Sequence, residues 1–537
     1  MRKSLLAIAL ALAAPLAAAD PATPEEAQLK AHVAFLASDA LRGREPGTPE
    51  YDIAAEYVAA RFLELGLKPA GDKGSYLQHV PLVATKLTDK GMMTLSGPKG
   101  YMPLTFGDEF MLFPNFRTAK LRLDTPMVFV GFGVVAPEFH HDDYAGIDVK
   151  GKIVVYLSGA PKSFPTDKRA HHSIADTKAL VAEAHGAVAV IAVETPTSAK
   201  RYPLSRFSNT WAHERMTWRQ PDGSGFLIGG GTHRLGLISL QGAEKLFANV
   251  AGGASMVMKA AELPKGHVRA VPLGINARIA INSVISNAES SNVVGIIEGS
   301  DPGLKAETIL LTAHLDHVGV GEPVNGDAIY NGAMDNAVGT ASMIEVARRM
   351  VGAGDKPKRS ILFLATTAEE KYLIGADYFA RHPTIPRSSM VANVNLDMPI
   401  LTYDFEDVVA VGAEHSTMAP IVGKAAASMG VALSPDPEPD EILFVRGDQY
   451  RFVQQGIPAV FLVTGYAGPG KAASDAFLDS HYHKPSDEVT LPIHWNAGVK
   501  FINLNLAIAR GLADAPEKPR WNKGDFFGML YNGYGAR

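Results

Sequence analysis

Five side chains of metal-ligand type stand out along this 537-residue chain, each inside a short motif. They are His314 in Ala-His-Leu-Asp-His, Asp335 in Asn-Gly-Ala-Met-Asp-Asn-Ala, Glu370 in Ala-Glu-Glu-Lys, Asp397 in Asn-Leu-Asp-Met and His483 in Tyr-His-Lys-Pro-Ser-Asp. Two imidazoles with three carboxylates, and no sulfur, suit a catalytic zinc site better than the all-oxygen shells that calcium and magnesium prefer. Their order along the chain reads as a two-metal hydrolase. Taken singly, each has an ordinary explanation: an Asp after a strand caps a turn, and a Glu-Glu pair at a helix start is a solvated face favoured by the helix dipole. The five together, each in its own context, carry the reading.

Placement supports it. Segments 308–313, 360–365 and 390–396 are short, mostly apolar and rich in β-branched residues, the pattern of buried parallel strands, and a ligand candidate follows each one closely. Between them lie helical stretches such as 340–350, where Met343, Ile344, Ala347 and Met350 repeat at helical spacing. Strand and helix alternation implies an α/β fold, with a mixed, mainly parallel central sheet and helices on both faces. Sites in such sheets lie beyond the carboxyl ends of the strands, where these residues fall.

Composition narrows the function class. A formal net charge of -5 argues against a nucleic-acid binder that relies on a basic surface. Arg2 and Lys3 precede an apolar run over 5–16, and Ala17-Ala18-Ala19 supplies small residues for cleavage, so 1–19 reads as a secretory signal peptide. Its removal takes away two cations and no acid, leaving -7. The expected location is therefore periplasmic or secreted. With no cysteine, disulfides, thiolate metal sites and thiol nucleophiles are excluded. No other segment is long and apolar enough to span a membrane.

The length calls for a second unit. From about residue 125 the chain turns β-rich, with strand-like runs at 127–135, 151–157 and 187–193 and a helix over 177–185 stopped by Gly186. No metal-ligand cluster is apparent there. The expected division is a first part of the catalytic domain over 20–124, a β-rich insert over 125–270, the second part over 271–515 and a tail over 516–537. The histidine pairs His140-His141 and His171-His172 are expected as solvated loop residues of the insert.

The motifs resemble an exported family of co-catalytic zinc aminopeptidases, whose relatives include glutamate carboxypeptidase, the transferrin receptor and glutaminyl cyclase. The likeness runs from His32-Val33-Ala34-Phe35 and Gly43-Arg44-Glu45-Pro46 through Asn292-Val293-Val294-Gly295 to His483-Lys484-Pro485-Ser486-Asp487-Glu488. Gly151-Lys152-Ile153-Val154 resembles the protease-associated domain that many of these enzymes carry as an insert.

The resemblance implies a zinc exopeptidase fold with two zinc ions per chain. Asp335 matches the bridging ligand, with His314 and Asp397 completing one metal site and Glu370 and His483 the other. Asp316 matches a residue that orients His314, and Glu369 matches the general base that moves a proton from water to the leaving amine. The implied partners are peptides with a free N-terminus. Asp448 and Tyr450, in Val445-Arg446-Gly447-Asp448-Gln449-Tyr450, resemble a loop that borders the substrate pocket, although Gln449, Tyr372 and Ala376 stand where many relatives have His, Gly and Ser. A carboxypeptidase, a glutaminyl cyclase with a single zinc and a non-catalytic receptor-like module would share the fold.

Overall fold

Strand Val271–Ile297 alternates apolar and other residues over its first half, and Leu273, Ile275, Ala277, Ile279 and Ile281 all turn into one core. Its second half crosses into another sheet, where Val293 and Val294 are both buried, one on each face. This one strand of 27 residues is the spine of the computed structural model, which describes residues 22–228 and 230–537.

The larger sheet is built outward from that spine. Ser360–Thr366 pairs antiparallel with it, and Thr308–His314 lies parallel between Ser360–Thr366 and Met390–Asn395. Ala459–Thr464 continues the parallel order, Asp407–Val411 follows antiparallel, and the short strand Ala432–Leu433 lies beyond it. Because side chains alternate across a strand, Ile309, Leu311, Ile361 and Phe363 fill one face while Leu310, Leu362 and Leu364 fill the other. Helices Pro24–Leu36, Val338–Gly352 and Trp495–Asp514 cover the first face, and Ile374–Arg381 and Gln449–Val453 the second. The fold is thus a mixed, mostly parallel α/β sheet between helical layers.

A second sheet starts earlier than residue 125. Met92–Gly97 and Lys120–Phe129 both pair with the first half of Val271–Ile297, and parallel strands Ile153–Leu157, Ala189–Val193 and His233–Ile238 follow. The boundaries expected at 124/125 and 270/271 therefore fall within one strand and at the edge of another. Arg215–Trp218 departs in the opposite sense, pairing with Leu77–Leu87 of the larger sheet.

Helix Ala175–Ala184 packs Ala179 and Ala182 against the second sheet and carries the fully buried Lys178. Its ammonium donates to the carbonyls of Gly159 (2.6 Å), Leu157 (3.4 Å) and Phe132. Burial pushes its pKa down to about 7, partly opposed by Asp143. Because the folded pKa lies below the unfolded value, the unfolded chain holds the extra proton between about pH 7 and 10.5. Stability must therefore rise with pH across that window. Melting temperatures of the parent and of Lys178→Met, taken from pH 6 to pH 10, are expected to show the parent gaining on the variant above pH 7. A difference that stays constant across this range would remove Lys178 as the titrating group.

Candidate active site

The donors sit where the strands release the chain. His314 ends strand Thr308–His314, Glu369 and Glu370 follow Ser360–Thr366 by a short turn, and Asp397 comes two residues after Met390–Asn395. Asp335 lies in the turn Ala333–Ala337 that leads into helix Val338–Gly352. That turn requires Gly332: at φ +60° a Cβ there would lie 2.2 Å from the Asp335 carbonyl oxygen and 2.5 Å from Cγ of His317. His483 arrives from the loop after helix Gly470–Ser480.

These five residues converge. His314 Nε2 lies 3.2 Å from Asp335 Oδ1 and 3.1 Å from Asp397 Oδ1. His483 Nε2 lies 3.1 Å from Asp335 Oδ2 and 3.2 Å from Glu370 Oε2. Two donor clusters result, each with one imidazole and two carboxylates, and Asp335 gives one oxygen to each. His317 also faces the second cluster, with Nδ1 at 2.8 Å from Glu370 Oε1 and 4.0 Å from Asp335 Oδ2. His483 is close to both carboxylates, while His317 groups with the same Asp335 and Glu370 as an alternative donor, so two imidazoles face the second cluster. The signal for His317 was the last residue of Ala-His-Leu-Asp-His, which carried no role in the sequence reading.

Electrostatics set the adjacent glutamates apart. Burial raises Glu369 well above the usual carboxylate range, and repulsion from Glu370, Asp397 and Asp448 adds to this against the pull of His314. Burial would raise Glu370 too, but His483 and His317 outweigh it and hold that carboxyl far down. Against the cost of burial, Glu370 and Asp335 push His483 up to about 10. Environments that push neighbouring acids in opposite directions mark one as the proton carrier and the other as a fixed anion.

Around the donors is a frame of buried polar groups. The Asp487 carboxylate accepts from the backbone N–H groups of Met334 (2.8 Å) and Asp335 (3.0 Å), tying the His483 loop to the Asp335 turn. Asn336 accepts from Gly339 and Met398 and donates to Leu396, and Thr340 donates to the His314 carbonyl. The Arg44 guanidinium, fully buried, donates to the carbonyls of Leu315, Asn331, Gly332 and Leu36.

Asp316 differs from expectation. His314 Nδ1 bonds the main-chain carbonyl of Asp316 at 3.1 Å, so Asp316 orients the imidazole through its backbone. Its carboxylate turns the other way and accepts from the N–H groups of Glu369 (3.0 Å) and Glu370 (3.2 Å). With only one residue between His314 and Asp316, the backbone carbonyl reaches the ring while the longer side chain spans to the next loop.

The two pocket residues part company. Asp448 is buried beside the site, with Oδ2 accepting from Thr366 at 2.5 Å and Oδ1 without a partner. Tyr450 is buried in a separate apolar cluster, its hydroxyl bonded to His171 Nδ1 (2.9 Å) and Tyr531 (3.1 Å), and does not line the donor clusters. Two residues on from Asp448, in helix Gln449–Val453, it faces away. Nor are His171 and His172 solvated: both are buried on helix Thr166–Ser173.

Comparison with known proteins adds three findings. Residues 292–509 match the profile described as Peptidase family M28. A solved aminopeptidase from Aneurinibacillus sp. strain AM-1 shares the fold, with a TM-score of 0.53, 19% identity, and coverage of 92% of this chain and 95% of that one. A vacuolar membrane protease of Schizosaccharomyces pombe is 33% identical over 116 residues, 22% of this chain and 12% of that protein, and one of Schizosaccharomyces japonicus is 36% identical over 100 residues, 19% and 10%. The matched stretch thus spans about a tenth of the length of these curated relatives. Their names correct the expected periplasmic or secreted location, since those proteins are assigned to a vacuolar membrane. Residues 1–19, on which that expectation rested, lie outside the described residues. Among the described residues no helix is long and apolar enough to cross a membrane.

The Asp487 contact yields a measurable consequence. Asp487→Ala leaves all five donors in place but frees the turn that carries Asp335. Partners that orient ligands typically contribute about 10- to 100-fold in metal affinity, so zinc titration against a competing chelator is expected to show weakening in that range. Parent-like affinity in a folded Asp487→Ala protein would dismiss the clamp.

Proposed function

We propose, from the match of residues 292–509 to Peptidase family M28, that the chain is a zinc-dependent aminopeptidase that removes N-terminal residues from peptides. The observation that carries this reading is Asp335, whose two oxygens each face a different histidine at 3.2 and 3.1 Å.

The donors suit two zinc ions. Neighbouring ligands of a tetrahedral ion with bonds near 2.0 Å sit about 3.3 Å apart, close to the 3.1 and 3.2 Å between donors in both clusters. Nε2 of His317, on the far side of the ring from Glu370, is also buried without a hydrogen-bond partner. His314 and Asp397 would hold one ion, His483 and Glu370 the other, and Asp335 would join them. Bound there, the ions would lower the pKa of a water molecule to about 7 and polarise the scissile carbonyl.

The chain's own groups supply the rest. Glu369 is the proton carrier: as a carboxylate it would take the proton from attacking water, and the same carboxyl would then give it to the leaving amine nitrogen. Asp316 steadies Glu369 and Glu370 through their N–H groups. No covalent intermediate is required.

Two features favour the amino end. Asp448 Oδ1 is a buried, unpartnered acceptor suited to a substrate ammonium. The nearby arginines are already engaged, Arg446 with Glu441 at 3.0 Å and Arg451 with the Tyr372 carbonyl and Gln454. The second sheet unit, with its Gly151-Lys152-Ile153-Val154 motif, is consistent with a protease-associated module that shapes access and leaves the chemical step alone.

Glu369→Gln is expected to retain about two zinc ions per chain while turnover drops by roughly 10²-fold or more, whereas Glu370→Gln should lose metal. Elemental analysis beside steady-state rates separates the two outcomes. A fully active Glu369→Gln would reassign the base, and full activity with a single tightly bound ion would end the co-catalytic reading.

Acetylation of the substrate amine is expected to abolish cleavage. C-terminal trimming of acetylated peptides at comparable rates would make the enzyme a carboxypeptidase.

A further inference from the structure

Tyr372 sits three residues after Glu369 at φ +82°, followed by Leu373 at φ +60°. Bulky residues rarely adopt this region, which glycine enters freely. A tyrosine held there points to a use for its side chain. Its backbone N–H bonds the Glu369 carbonyl at 2.9 Å, so it belongs to the loop that carries the proposed proton carrier. Its side chain is exposed, and its hydroxyl accepts from Arg215 at 3.4 Å.

That side chain forms part of the wall of a cavity of about 580 Å³ between the second sheet and the catalytic loops. The volume lies within the range of about 300–1,000 Å³ common for ligand pockets. Phe132, Ala192, Tyr202 and Phe207 line it from the second unit, and Ile442 joins Tyr372 from the catalytic side. The cations at its rim are already paired: Lys162 with Glu262 (2.7 Å), Arg201 with Glu441 (3.0 Å), Arg169 with Asp440 and Arg234 with Asp176. Paired rim charges and the apolar side chains among the wall residues suit an apolar guest. Arg446, two residues before Asp448, lies 5.9 Å from the Tyr202 ring of this wall.

We propose that this cavity binds apolar side chains of a peptide substrate beyond the residue removed, and that Tyr372 is the specificity-determining wall between it and the site. The proposal rests on the peptidase reading for its choice of ligand, so its test uses binding alone. The probes are the uncleaved peptides acetyl-Leu-Phe-Leu-Phe-amide and acetyl-Ser-Asn-Ser-Asn-amide, titrated calorimetrically into the full zinc-loaded chain.

The apolar peptide should saturate one site and bind at least tenfold more tightly than the polar one. Ala192→Trp, which fills the cavity, and Tyr372→Gly, which keeps the backbone conformation and removes the wall, should each weaken it at least tenfold. Tyr372→Phe should keep the affinity. Equal binding of the two peptides, or affinity within twofold of the parent in either folded variant, would overturn the proposal. Failure of the parent to cut free Leu-Phe-Leu-Phe-amide would count against the peptidase reading alone, since binding of the acetylated peptide is scored separately.

Discussion

The constraint on which the rest depends is the crowding of carboxylates in a place where water cannot screen them. Asp316, Asp335, Glu369, Glu370, Asp397, Asp448 and Asp487 all gather at the carboxyl ends of the parallel strands, and Asp316, Asp335, Asp448 and Asp487 are buried. Buried anions must be paired, hydrogen-bonded or neutralised by protonation. The structure uses each route. Asp335 and Glu370 face imidazoles, Asp316 and Asp487 accept backbone N–H groups, and Glu369 is pushed toward its protonated form. What the protein supplies in positive charge falls short of what is gathered, and this favours cations in the two donor clusters.

Arg44 belongs to the same balance. Its pKa is lowered to about 10 by burial, while the charges of Asp316, Asp487, Asp335 and Glu370 oppose that shift. Its donors hold main-chain carbonyls on either side of the His314 and Asp335 turns, so one group fixes geometry and offsets charge together. Second partners of this kind keep ligands on target and are part of any metal site.

Much of this was legible in the chain. The apolar strands, the helix over 340–350 and the five donors follow from periodicity and motif order, and the structure brings all five donors together. What sequence could not show was which atom of a residue does the work. Asp316 offered both a carboxylate and a carbonyl to His314, and only the backbone path settles that the carbonyl is used. Tyr450 and His171 lie far apart in sequence and bond in one cluster, a tertiary contact with no local signature. The unit boundaries have a related difficulty: the strand that serves two sheets passes from one to the other through Asn282 and Ser283, turn-type residues that here stay extended.

That shared strand also bears on how the second unit can act. A tethered lid would cross to the catalytic sheet through loops, but here Val271–Ile297 enters it unbroken, and Arg215–Trp218 adds a strand to its edge. Trp218 then bonds Asp377 at 2.8 Å, and His171 bonds Tyr450. Excising residues 125–270 would remove Trp218 and its strand, so such a deletion would perturb the catalytic sheet as well as access to it. With the two units joined by strands, packed rings and hydrogen bonds, the cavity beside Tyr372 is shaped by the fold before any substrate arrives. Selectivity built this way needs no closure, because a preorganised pocket avoids the cost of ordering its walls on binding.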